Sequence, residues 1–157
     1  MAENLKLARL FYLLLALVTA GRLYLGVRGV PYEVASDKLS IVILTIFSSL
    51  FYAAFCRRWR GYTLFQAVTL AALLAASAQI VILLATLGSY LAGVDTYFNN
   101  PHALHAEHAG HVFSLSEAVT TRLGGLVDNT VLNSVVGMLG WTMGALLPAD
   151  PLPGDRK

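Results

Sequence analysis

Four histidines, His102, His105, His108 and His111, follow one another at a spacing of three residues and are the only histidines in the chain. Residues three apart on a helix are neighbours on one face, so His102 with His105, and His105 with His108, can each chelate one metal ion. His111 follows Gly110, a natural helix stop, and can fold back as a further ligand, while Glu107 and Asp95 offer oxygen atoms. Imidazole suits zinc, copper and nickel, so zinc or copper is the cofactor to expect at such a site. The bland readings stand beside it. The same stretch suits a solvated surface helix, or a pH-responsive one whose imidazoles titrate near ~6.5. No second ligand motif accompanies the histidines.

The elements that must position this stretch are hydrophobic. Hydrophobic residues make up 57% of the 157-residue chain and charged residues 13%, roughly half the charged share of soluble domains. That balance predicts a single membrane domain over residues 1–157. The formal net charge of +2 comes with no basic stripe, which argues against nucleic acid as a partner. The lone Cys56 excludes an intrachain disulfide and a multi-cysteine zinc site.

Four apolar runs predict four spans, at about residues 10–27, 39–56, 63–93 and 126–147. A signal peptide competes for the first, but its apolar character resumes after Ala20. Arg22, near the end of that run, reads as an anchor that snorkels to the interface. Arg57-Arg58-Trp59-Arg60 interrupts after the second run. The third contains Gln79, the strongest hydrogen-bonding group deep in any span, readable as interhelical glue or as a ligand contact. Its alanines Ala71/Ala75 and Ala72/Ala76 recur four apart and admit a close helix neighbour.

The polar interval 95–125 carries the histidines. Asn100-Pro101 predicts a helix start and Gly110 its stop, giving a short helix over Pro101–Ala109. Ser114-Leu115-Ser116-Glu117 has the form of a capping box opening the next helix. Gly124-Gly125 marks a kink where an interfacial helix turns into the fourth span. Within that span Gly137, Gly140 and Gly144 form a small-residue face for a helix of the same bundle or of a partner, with Asn129 and Asn133 able to bond across it.

Placing Arg57, Arg58 and Arg60 inside puts both termini inside as well. Lys6, Arg9, Arg156 and Lys157 then join them, against Arg28, Lys38 and Arg122 outside and Arg22 near that face. The expected fold is therefore all-α: an antiparallel bundle of four membrane-spanning helices, with short extramembrane helices on its outer face. The expected location is the bacterial inner membrane, with cytoplasmic termini and an outward-facing histidine loop.

No Walker loop, dinucleotide fingerprint, His-Glu-x-x-His, Cys-x-x-Cys or Gly-x-Ser-x-Gly occurs, and no span holds a histidine for haem. An enzyme is therefore disfavoured. The function expected from sequence is that of a small non-enzymatic membrane protein assembling with itself or with a partner membrane protein. Its histidine loop would bind a metal or dock that partner. The alternative is a transporter or channel in which the histidines collect a solute and Gln79 lies in the path. A metal-dependent membrane enzyme is a third, weaker reading.

Overall fold

The computed structural model describes residues 6–35, 38–104 and 112–148. Among these residues all regular structure is helical. Five α-helices appear in the order α1 (Arg9–Val27), α2 (Tyr32–Ala35), α3 (Ile41–Arg60), α4 (Leu64–Ala92) and α5 (Leu115–Leu146), with one 3-10 turn at Pro101–Leu104. Three of them, α1, α3 and α4, are long and apolar enough to cross a membrane. Their bounds coincide within a few residues with the first three apolar runs.

Local chemistry accounts for most helix ends. Ser40 starts α3 by accepting a hydrogen bond from Ile43 N at 3.3 Å. The helix continues through Arg57, Arg58 and Arg60 rather than stopping before them. Arginine is a good helix former, and its charge is favourable at the negative end of a helix. Gly61, at φ 65°, then turns the chain in a conformation that costs glycine little. Thr63 and Gln66 form a reciprocal cap at the start of α4. Ser114 and Glu117 do the same for α5, the Glu117 carboxylate accepting from Ser114 N at 2.8 Å. The kink expected at Gly124-Gly125 does not break the helix, because α5 runs uninterrupted for 32 residues. Each glycine weakens a helix by about 1 kcal/mol, yet keeps the N–H that the ladder needs.

Long-range contacts set the helix directions. Arg22 Nη1 donates to Leu39 O at 3.0 Å, so the end of α1 lies beside the start of α3. Three residues, 61–63, turn α3 back into α4. Helix α5 runs parallel to α3 and antiparallel to α4 through close backbone approaches. A Cβ on Gly137 would lie 2.7 Å from Ala71 Cβ, one on Gly140 would strike Leu50 O, and one on Gly144 would lie 2.5 Å from Ala54 O. Of the two alanine pairs on α4, Ala71 and Ala75 are buried, whereas Ala72 and Ala76 are only half-buried.

A hydrophobic core that includes Phe11, Leu15, Leu70, Leu74 and Phe98 is joined by large apolar side chains on the outside and by several polar ones within. Leu13, Leu17, Phe47, Phe51, Leu84, Val131, Val135 and Leu139 are exposed, while Thr45, Ser49, Gln79, Thr86 and Asn133 are buried. Such buried polar groups need partners. Thr45 donates to Ile41 O at 2.7 Å within its own helix. Ser49 Oγ donates across the α3–α5 contact to Asn133 Oδ1 at 2.8 Å.

The two ends of the molecule differ. At one, Arg57 lies over the Trp141 ring at 4.3 Å and Arg58 Nε donates to Pro148 O at 2.7 Å. The other end carries α2, the 3-10 turn and His102.

Candidate functional site

The segment from Val94 to Leu104 is folded down onto the helix ends by its own polar residues. Thr96 N donates to Asn99 Oδ1 at 2.7 Å, and Phe98 N donates to Thr96 Oγ1 at 3.0 Å. The Ser89 and Thr96 hydroxyls lie 2.7 Å apart at the end of α4. Glycine matters on the opposite side. A Cβ on Gly26 would lie 2.6 Å from Tyr97 N, so the segment runs in backbone contact with α1. Tyr97 and Phe98 are buried as a result, and Tyr97 OH donates to Val30 O at 3.0 Å.

Above this segment, Asn100 Oδ1 accepts from His102 N at 2.9 Å and opens the turn. The described part of the expected Pro101–Ala109 helix is a single 3-10 turn ending at Leu104. His102 is exposed, 3.2 Å from Glu33 Oε1, and its ring stacks on Tyr32 with centroids 6.3 Å apart. Thus α2 supplies both partners of His102. His105, Glu107, His108 and His111 lie outside the described residues. Among the described residues no three histidine, cysteine or acidic side chains come together as a metal site. Asp95 is exposed at the end of α4.

Two arginines meet beneath the turn. Arg22 is buried at 8% exposure. It therefore does not snorkel, because structure folded over it supplies partners inside. Besides Leu39 O, its Nη2 donates to Tyr32 OH at 3.5 Å. Its guanidinium carbon lies 5.6 Å from each of the ring centroids of Tyr32, Tyr97 and Phe98. Arg122, on the first turns of α5, donates from Nε to Thr86 Oγ1 at 3.1 Å, from Nη1 to Ala103 O at 3.0 Å and from Nη2 to Phe98 O at 2.7 Å. Burial pushes the Arg122 pKa down to about 10, with repulsion from Arg22 contributing, so the group remains a cation at neutral pH.

Both arginines line an open cavity of about 610 Å³ bordered by α1, α2, α3, α4, α5 and the 3-10 turn. Tyr32, Ser40, His102 and Thr121 add polar groups, and Gln79 and Asn129 lie deeper along α4 and α5. Gln79 is 6% exposed, and among the described residues its amide has no hydrogen-bond partner. Gly125 keeps space open beside it, since a Cβ there would meet only Gln79 Oε1 and Asn129 Nδ2, each at 3.9 Å. Asp128 is the carboxylate on the lining.

The lining ends at the level of Gln79 and Asn129. One turn further along α5, Asn133 is bonded to Ser49, and Gly137 and Gly140 bring the backbones together. Ser77 Oγ donates to Leu74 O at 2.9 Å in its own helix and does not extend the cavity. The polar residues thus form a pocket closed at its base.

Comparison with protein families, curated proteins and solved structures finds no match to the chain. Function must therefore be argued from the cavity itself. Sequence reasoning singled out Gln79 but missed that Arg22 and Arg122 meet there. The available signal was weak: two arginines at the same ends of two apolar segments.

Proposed function

We propose that the chain is a small integral membrane protein of four crossing helices that binds a small ligand in the cavity at its histidine end. The fourth crossing helix is the later part of α5. This reading is supported by its outward-facing Val131, Val135, Leu139 and Leu146, all exposed, set against the inward-facing Asn133. Lipid solvates such a face and water does not. The arginine end, with Arg57, Arg58 and Arg60, is cytoplasmic by the positive-inside rule, as are both termini. The cavity then opens on the outer side of a bacterial inner membrane.

One observation carries the binding role. A cavity of about 610 Å³ gathers Gln79, Asn129, Arg22 and Arg122 from three helices, and small-molecule sites commonly enclose about 300–1,000 Å³ with a few convergent polar groups. The role is binding rather than catalysis. His102, the one imidazole on the lining, is engaged by Glu33 and Tyr32, and among the described residues it meets no hydroxyl nucleophile. The protein acts in this way as a binding component, by itself, as a homo-oligomer or within a larger membrane complex.

Uptake is the second reading, favoured by Gln79 lying at the base of the cavity. It requires the Ser49–Asn133 bond and the glycine contacts to open. Mass spectrometry of small molecules extracted from the purified protein tests the binding role. A stoichiometric compound should accompany the wild type and be absent from Gly125→Phe, whose side chain occupies the cavity. Equal content in both proteins contradicts the proposal.

A further inference from the structure

Resting on that cavity reading, we infer that the ligand presents an amide-type edge, an N–H beside a C=O, which pairs with the side-chain amide of Gln79 at the base of the cavity.

Most polar groups on the lining already have protein partners. Arg122 donates from each of its nitrogens, to Thr86 Oγ1, Ala103 O and Phe98 O. His102 pairs with Glu33, the Tyr32 hydroxyl accepts from Arg22, and Ser40 Oγ caps α3. Asn129 Nδ2 donates to Gly125 O at 2.8 Å within its own helix. Gln79 differs. It lies on the lining at 6% exposure, and its amide bonds no other described residue. A glutamine that joined helices would bond the helix it faces, as Ser49 bonds Asn133. The Gln79 amide instead borders the space beside Gly125, whose Cβ position lies 3.9 Å from Gln79 Oε1. An unsatisfied buried polar group is costly, so a ligand that bonds it there is held by an interaction the protein itself does not make.

The donors and acceptor of Gln79 select the edge that satisfies it. Its amide offers two N–H donors and a carbonyl acceptor. A second amide laid edge to edge donates to Oε1 and accepts from Nε2, closing a ring of two hydrogen bonds. A ketone satisfies the donor alone, and a carboxylate sets its lone pairs against Oε1. An ammonium group would donate to Oε1 but would share the cavity with the Arg122 cation. A neutral edge also suits the depth, because a charge moved into a buried site loses its hydration. Asn129 adds a second carboxamide on the same lining. Ile41, Ile82 and Phe98 border the cavity as well, so the body that carries the edge is apolar. The ligand class is thus a neutral primary carboxamide or lactam on a hydrocarbon or aromatic body.

The test uses the full chain, labelled at its isoleucine methyl groups, in neutral detergent. Benzamide, acetophenone and benzoate, probes of one shape, are titrated in turn. Ile41 and Ile82 line the cavity, so their methyl shifts report binding there. Benzamide should bind about ten-fold tighter than either analogue, the discrimination expected where a buried hydrogen bond is lost. Gln79→Leu should bring benzamide down to the level of acetophenone. Without a probe that variant should melt no lower than wild type, since Gln79 has no partner among the described residues to lose. A variant that fails to fold, or melts lower, shows that Gln79 holds helices together and overturns the inference. Tighter binding of benzoate, or equal binding of all the probes, overturns it too. A compound that co-purifies with wild type, is lost from Gly125→Phe and has no N–H beside a C=O overturns this inference and leaves the binding role standing. Equal content in wild type and Gly125→Phe removes the cavity reading and this inference with it.

Discussion

Arg122 Nη2 donates to the carbonyl oxygen of Phe98 at 2.7 Å, tying α5 to a segment 24 residues earlier in the chain. The ring of the same phenylalanine lies 5.6 Å from the Arg22 guanidinium. Phe98 is thus gripped by its carbonyl from one side and by its ring from the other, and the two arginines are held on one cavity through it.

The first prediction follows from that grip. Arg122→Lys keeps the charge but loses the fork that reaches Phe98, Ala103 and Thr86 together. Amide hydrogen exchange should accelerate across 96–104 and stay unchanged in α3. Unchanged exchange in that segment would show that Arg122 does not hold it.

The glycine face of α5 gives a pair of opposite expectations. Gly140→Leu forces a side chain onto Leu50 O and Ala53 Cβ, and overpacking typically costs about 1–3 kcal/mol. Gly124 meets nothing within 4 Å of its Cβ position, so Gly124→Ala should gain up to about 1 kcal/mol from helix propensity. Thermal melting in detergent should separate the two variants in sign. A destabilised Gly124→Ala, or an indifferent Gly140→Leu, would contradict the packing described.

The buried Ser49–Asn133 bond, at 2.8 Å, is suited to a double-mutant cycle. Ser49→Ala, Asn133→Ala and the double variant should give a coupling near ~0.6 kcal/mol, the average for hydrogen bonds between membrane helices. Zero coupling would mean that the two side chains find equivalent partners when separated.

What could be read without coordinates was whatever is written in local runs. Long apolar stretches mark α1, α3 and α4, and Ser114 with Glu117 marks the start of α5. The misjudgements arose where the partner is distant or has no sequence signature. Arg22 was expected at the interface because Leu39, Tyr97 and Phe98 lie 17 or more residues away. Arg122 counted only as an outer charge, since its acceptors are a hydroxyl and two backbone carbonyls, which every sequence supplies. Gly124-Gly125 lie within one continuous helix, α5, opened by the Ser114 cap. Three of the four histidines fall outside the described residues. The chemistry that the structure does describe lies around Arg22, Arg122 and Gln79.

Cysteine accessibility along α5 tests the central claim most directly. Native Cys56 is fully buried, so its background reaction is low. Cysteines are introduced singly as Gly125→Cys, on the cavity, and Gly137→Cys, below its closed base. Intact cells are then treated with impermeant thiol reagents of either charge. Gly125→Cys should react from outside, while Gly137→Cys should not. Reaction of Gly137→Cys from outside would replace a closed pocket with a path through the helices. An unreactive Gly125→Cys, or one that reacts only in inverted vesicles, would contradict the outward-facing cavity.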